Sequence, residues 1–312
     1  MLFTTISVAI TLALARRLGR VLQANSFQPD SDMLQESNST LLQYPTQFTQ
    51  NIVPKQIHSH NDYWRDVPLL EALSYGVSSV EADVWYINGT LYIGHELGAL
   101  TATRTFESLY IQPLVAILAL QNPVDVFTAN STGPPNGVFD TSGGTTLQLL
   151  IDMKTDGNIT LPPVVQALEP LRQLGALTTF DNGTLSVSAI TAVGTGNTPL
   201  EGIQALSPRD VFFDAPLTEL DDPDVTYDVA LSPLASTDYE PAVGWSGIGN
   251  ISEAQLANIT RFVNDAHTRG IKARFWDTPG WPIQARHAVW EVLLNAGADW
   301  LNADDLEAAS QF

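Results

Sequence analysis

The sequence predicts an α/β protein folded as a single (β/α)8 (TIM) barrel. Short apolar runs that read as strands alternate with helical patterns, and eight such strands can be traced. Polar and ionisable residues gather at or just past the C-terminal ends of those runs, the face that carries function in such barrels. A chain of 312 residues with 44% hydrophobic content can bury one large core. An open doubly wound sheet would also alternate strands and helices. No glycine-rich phosphate loop follows the first strand, which counts against it.

Three segments precede and make up the fold. Residues 1–24 read as a signal peptide or leader: Leu2–Leu14 is apolar, Ala13-Leu14-Ala15 offers a cleavage pattern, and Arg16, Arg17 and Arg20 follow. The run is short for a bilayer, so no stable transmembrane segment is expected once the leader is removed. Residues 25–50 are rich in Ser, Gln, Asn and Thr and read as a disordered linker. Residues 51–312 form the barrel domain.

Within it, Pro54–Ser59 is the first strand and Val67–Tyr75 a short helix stopped by Gly76. Val77–Glu96 organises the rest. It alternates, turns at Asn88-Gly89 and alternates again, a hairpin ending in Gly94-His95-Glu96. A glycan on Asn88 would need the hairpin tip exposed and the two strand ends covered. Phe106–Leu120 reads as an amphipathic helix and Leu147–Lys154 as the third strand. Pro163–Leu174 is helical, Leu185–Val193 strand four, Asp210–Asp214 strand five and Tyr227–Leu231 strand six. Ser252–Arg269 is a helix opened by the capping box Ser252-Glu-Ala-Gln255. Ile271–Trp276, Pro282–Ala296 and Ala298–Asn302 supply strand seven, a helix and strand eight.

Composition excludes several functions. The net charge of −20, with only three lysines, repels nucleic acid and anionic membranes. No cysteine is present, so disulfides, thiolate zinc sites and cysteine nucleophiles are ruled out. Seven N-x-Ser/Thr sequons occur, at Asn38, Asn88, Asn130, Asn158, Asn182, Asn250 and Asn258. Chance would give roughly two or three. The excess points to a secreted protein or one of the secretory pathway.

Glu81 and Asp83 lie two apart on a strand and face one side. Asp152 comes from the adjacent strand. Three converging carboxylates suit one hard divalent cation, Mg²⁺ or Ca²⁺. Lys154 shares the face of Asp152, as a salt-bridge partner or a functional cation. Of five histidines, His267 and His287 fall in helices and read as surface residues. His60 and His95 lie at strand ends beside the carboxylates and could act as general base and general acid. The His58-Ser59-His60 pattern also fits a zinc amidohydrolase, but no histidine between His95 and His267 completes that cage. A glycosidase could use Glu81 with Asp152 and would leave the histidines and Lys154 unexplained. A barrel that binds a ligand without turnover is the remaining alternative.

The order His60, Glu81-x-Asp83, His95, Asp152-x-Lys154 resembles the phosphatidylinositol phospholipase C-like phosphodiesterase superfamily, which includes glycerophosphodiester phosphodiesterases and sphingomyelinase D enzymes. The run SHNDYWRDVPLLEALSYGVSSVEADVW looks most like the fungal altered inheritance of mitochondria protein 6 family. The resemblance implies a metal-dependent phosphoric diester hydrolase acting on a small phosphodiester or a lipid head group. It implies that Lys154 stabilises charge on phosphorus and that Trp276 and Asn302 line the head-group pocket. One departure matters: glycerophosphodiesterases place Arg-Gly after the first histidine, where this chain has Asn61-Asp62. Phosphate recognition then falls to Lys154, the metal and Asn61.

Overall fold

The computed structural model describes residues 46–129 and 133–312. The leader, most of the linker, Asn38 and Asn130 lie outside the described residues.

The strands in chain order are β1 (Lys55–Ser59), β2 (Val77–Ile87), β3 (Thr90–Ile93), β4 (Leu147–Met153), β5 (Thr179–Asp181) and β6 (Thr184–Ser186). They continue with β7 (Ile190–Gly196), β8 (Val211–Pro216), β9 (Leu234–Asp238), β10 (Lys272–Trp276) and β11 (Leu301–Ala303). Eight of them form a parallel sheet in the order β10-β9-β8-β7-β4-β2-β1-β11. The amides of Asp299 and Trp300 donate to the Ala273 carbonyl at 3.0 and 3.4 Å, which brings the lead into β11 against β10 and closes the ring. β3 folds back on β2 across a turn in which Asn88 and Gly89 both take positive φ, as a tight two-residue hairpin requires.

Helices clothe the ring: α1 (Leu70–Ser74), α2 (Gln112–Gln121), α3 (Gly157–Ala167), α4 (Glu169–Gln173), α5 (Leu200–Gln204), α6 (Tyr239–Val243), α7 (Glu253–His267), α8 (Ile283–Asn295) and α9 (Leu306–Gln311). The Ser252/Gln255 capping box forms and starts α7. The large core lies between helices and sheet. A second apolar cluster plugs the barrel: Leu150, Val193, Phe212, Leu234 and Trp300. Two residues further along the same strands come Asp152, Thr195, Asp214, Ser236 and Asn302. The period of two therefore puts an apolar plug below and a polar layer above, toward the C-terminal mouth.

Several boundaries differ from the sequence expectation. Leu185–Val193 is not one strand. Its first residues pair in the β5–β6 hairpin, and the barrel strand starts at Ile190. Tyr227–Leu231 is a turn, because the Asp228 carboxylate accepts from the amides of Ala230 and Leu231 at 2.9 and 3.0 Å. The sixth barrel strand is β9, so Ser232 precedes a strand rather than ending one. Phe106–Leu120 begins with a π-helical turn, Glu107–Ile111, before α2. The helix expected at Pro163 starts at Gly157, capped by Asp156, whose side chain accepts from the amides of Asn158 and Ile159.

That early start needs glycine. A Cβ on Gly157 would lie 1.7 Å from the Asn197 carbonyl oxygen, and Asn197 itself donates to Met153 O at 2.9 Å. Gly157→Ala should cost about 1–3 kcal/mol of stability by overpacking. Urea denaturation that finds the variant as stable as the parent would show that these two loops do not pack as described.

Candidate active site

Glu81 and Asp83 stand on β2, whose residues Val77–Val84 are buried on both faces. Asp83 is in register with Asp152 on β4. Ligand oxygens of Glu81, Asp83 and Asp152 come within 4.8 Å of one another. Among the described residues this is the one group of three or more His, Asp or Glu that converges in this way.

Each carboxylate has a distinct set of partners. Glu81 Oε2 accepts the Asn61 amide at 2.8 Å, and its Oε1 lies 3.7 Å from Arg274 Nη2. Burial would push Glu81 up, but the contact with His58 and the Arg274 charge hold it well below the usual carboxylate range. Asp83 Oδ2 accepts from Tyr63 Oη at 2.7 Å and pairs with Lys154 Nζ at 3.0 Å. Burial, then the charges of Glu81 and Asp152, push Asp83 up to about 7. Its Oδ1 is buried and has no partner. Asp152 pairs with Lys154 at 2.7 Å and is also raised, mainly by burial.

The donor set fits a hard cation. All the ligand atoms are oxygens, they converge, and one buried oxygen lacks a partner. A glycine makes room for the Asp152 carboxylate. Gly196, at φ +63, ends β7, and a Cβ there would sit 2.0 Å from Asp152 Oδ1.

Two histidines flank the cluster. His60 directly follows β1, and its amide donates to Ala303 O at 3.1 Å. Its Nδ1 lies 3.0 Å from Asp304 Oδ1 and its Nε2 3.9 Å from Glu81 Oε2. His95 follows β3. Its Nδ1 is 3.1 Å from Tyr63 Oη and 3.5 Å from Asp83 Oδ2. The His95 ring lies against Trp64, with centroids 5.2 Å apart. The hairpin tip at Asn88 is exposed, as expected, but the end of β2, Trp85–Ile87, is only half-buried and His95 is half-exposed rather than covered.

The structure brings together His60, Glu81, Asp83, His95, Asp152 and Lys154. Lys154 bridges Asp83 and Asp152, so the salt-bridge reading of this residue is realised. Asn61 is buried at positive φ and orients neighbours: its side chain is in hydrogen-bond contact with Tyr63 Oη, and its backbone amide donates to Glu81. Asn302 accepts from Arg274 Nε at 2.9 Å and lines a cavity of ≈ 170 Å³ beside His60. Trp276 ends β10 half-buried. The residues after it, Asp277–Gly280, wall that cavity, and Trp276 does not. His58 is fully buried and hydrogen-bonded to Ser79 at 2.7 Å. Burial and the Arg274 charge depress it to about 3, so it is a neutral core residue.

Three participants were not read from the sequence. Arg274 is the buried cation beneath Glu81. It precedes Trp276 by two on one strand, so parity alone would have placed it inside the barrel. Asp304 follows Asn302 by two and holds His60. Tyr63 sits in a 3₁₀ turn, Asp62–Trp64, that no periodicity announces. Buried Asp62 pins this turn, accepting from Ser59 Oγ at 2.8 Å and the Leu69 amide at 2.7 Å.

Fold and site together define a (β/α)8-barrel protein with an acidic centre able to hold a metal and two histidines at its mouth. Residues 46–214 match the family model of the AIM6-like phosphodiesterase domain, and the chain belongs to that family. The altered inheritance of mitochondria protein 6 homolog of Arthroderma benhamiae is 42% identical over 290 residues, covering 90% of each chain. Altered inheritance of mitochondria protein 6 of Eremothecium gossypii is 36% identical over 82% of this chain and 69% of its own. Among solved structures, a glycerophosphodiester phosphodiesterase from Parabacteroides distasonis aligns over 84% of this chain and 97% of its own. Its TM-score is 0.47 and its identity 12%.

Burial raises Asp83 to about 7 and Asp62 and Asp214 to about 6, while the unfolded chain ionises near 4. Between those values the folded state binds more protons. The ion-free protein should therefore lose stability as pH rises from about 4 to 7. A divalent cation should raise Tm more at pH 8 than at pH 5, because protons compete for Asp83. Equal shifts at both pH values would contradict this electrostatic picture. Gly196→Ala should weaken Mg²⁺ or Ca²⁺ binding by about tenfold or more, since the methyl must displace Asp152. Calorimetric titration of a variant with parental circular dichroism provides the check.

Proposed function

We propose that this chain is a metal-dependent phosphoric diester hydrolase acting on a glycerophosphodiester or phospholipid-type substrate. The observation that carries this reading is the oxygen cluster of Glu81, Asp83 and Asp152, with Asp83 Oδ1 buried and unpartnered, between His60 and His95. Membership of a phosphodiesterase domain family supports it.

Glu81, Asp83 and Asp152 would hold one Mg²⁺ or Ca²⁺. Such an ion, when bound, supplies Lewis-acid polarisation of a phosphoryl oxygen and offsets developing negative charge. Three carboxylates against Lys154 and Arg274 leave one net negative charge. A divalent cation changes that to one net positive charge, the complement of a phosphodiester monoanion. A neutral glycoside has no such need, which favours the phosphodiester over the carbohydrate reading.

The chain's own groups then divide the work. Asp304 engages His60 at Nδ1 and leaves Nε2, which has only a long 3.4 Å contact with Asn61 Nδ2, to take or return a proton. Tyr63 engages His95 at Nδ1 and leaves the other ring nitrogen for the opposite transfer. Lys154, its side chain a quarter exposed, carries the donor available to an anionic equatorial oxygen. Whether the proton is drawn from water or from a substrate hydroxyl decides between direct hydrolysis and a cyclic phosphate.

Secretion is part of the same proposal. Asn88, Asn158, Asn182, Asn250 and Asn258 are all exposed, which supports this reading.

Glycerophosphocholine, lysophosphatidylcholine and sphingomyelin incubated with the protein and Mg²⁺ should give new phosphorus NMR signals, and excess chelator should abolish them. Asp83→Asn and His95→Ala should each lower turnover by at least about 10²-fold in a folded protein. Full turnover in chelator would remove the metal from the reaction. Turnover that survives His95→Ala would remove the histidine pair.

A further inference from the structure

Several large apolar residues are left exposed around the mouth. Trp64 is 57% and Trp281 78% exposed, and they are the two exposed tryptophans among the described residues. Neither lies at the closed end of the barrel. Trp64 sits in the turn after β1, in contact with His95. Leu97, 62% exposed, comes two residues after His95. Trp281 follows the segment Asp277–Gly280 that walls the cavity beside His60, and Ile283 opens α8. Ile248 belongs to the same ridge: its neighbour Gly247 is so close to Ala285 that a Cβ would lie 2.2 Å from the Ala285 carbonyl oxygen.

Two apolar ridges thus flank one opening. Trp64 and Leu97 stand on the His95 side, and Trp281, Ile283 and Ile248 on the cavity side. Leaving two indoles in water is unfavourable, and tryptophan favours the boundary between water and acyl chains, where its ring is covered and its N–H stays wet. Scattered exposed apolar residues are ordinary. Tryptophans confined to the rim of the reactive opening are not a random scatter.

We propose that the barrel mouth docks on the surface of a zwitterionic lipid bilayer, with these two ridges entering the interface. The charge on the page selects the surface. A net charge of −20 and only 14 lysines and arginines repel an anionic bilayer, so attraction must come from apolar insertion. No helix among the described residues is long and apolar enough to cross a membrane, so the association is peripheral. The inference deepens the phosphodiesterase reading by making a membrane lipid, rather than a free diester, the substrate that reaches the opening. Docking itself is measured without turnover, so either idea can fail alone.

The full-length protein should float with phosphatidylcholine vesicles on a density gradient. Brominated acyl chains should quench its tryptophan fluorescence. Doping the vesicles with phosphatidylserine should weaken the association. The double variant Trp281→Ser, Ile283→Ser should bind at least about tenfold more weakly and still cleave a water-soluble diester as the parent does. Phe127, 90% exposed on the connection between α2 and β4 at the opposite end of the barrel, gives the control: Phe127→Ser should leave binding unchanged. No flotation with phosphatidylcholine, equal binding by the double variant, tighter binding to phosphatidylserine, or loss of binding in Phe127→Ser would each overturn the proposal.

Discussion

Three carboxylates within 4.8 Å, largely withdrawn from water, repel one another and lack solvation. The surroundings of the mouth can be understood as the answer to that problem. Arg274 approaches from inside the barrel, 3.7 Å from Glu81, and Lys154 approaches from the mouth, bridging Asp83 and Asp152. These two cations fall one charge short. The ion-free site makes up the difference with a proton near Asp83, whose carboxyl is pushed up to about 7. The same deficit is what a divalent cation would fill.

The barrel supplies this arrangement through register. Asp83 and Asp152 are level on adjacent strands, and Leu150 below Asp152 belongs to the apolar plug. Shifting either strand by one residue would turn its carboxylates toward the helices, where no cation could reach them. The polar layer is therefore tied to the plug beneath it. Asn302 shows the same economy, since it aligns Arg274 while lining the cavity beside His60.

Much of this was legible in the sequence, for identifiable reasons. Glu81, Asp83, Asp152 and Lys154 sit on strands whose period of two reports their facing directly. His60 follows a barrel strand, where a barrel points residues into its mouth, and the Asn88-Gly89 hairpin returns His95 to the same level through the antiparallel β3. Boundaries failed where local polar bonds overrode the pattern. Asp228 folds Tyr227–Leu231 into a turn despite an apolar sequence, and Asp156 starts α3 six residues ahead of Pro163. Tyr63 was hidden for another reason. It reaches Asp83 and His95 from a three-residue turn whose shape depends on buried Asp62, and no sequence period encodes a contact made that way.

Tyr63 also links the chemistry to the surface. Its hydroxyl touches Asp83, Asn61 and His95, while the next residue, Trp64, sets its ring against both Tyr63 and His95 and faces solvent. A single short turn thus carries one aromatic inward to the acidic centre and the next outward to the rim. Movement of that turn would alter the partner of His95 Nδ1 and the position of the exposed indole together. Asp62 and Arg65 oppose such movement. Asp62 accepts from Ser59, Leu69 and Tyr110, and Arg65 donates to the His60 and Ala303 carbonyls at 3.0 and 3.4 Å. His60, His95 and the indole of Trp64 are therefore all in contact with this one braced turn. A surface that engages Trp64 would act on a histidine already held by the fold.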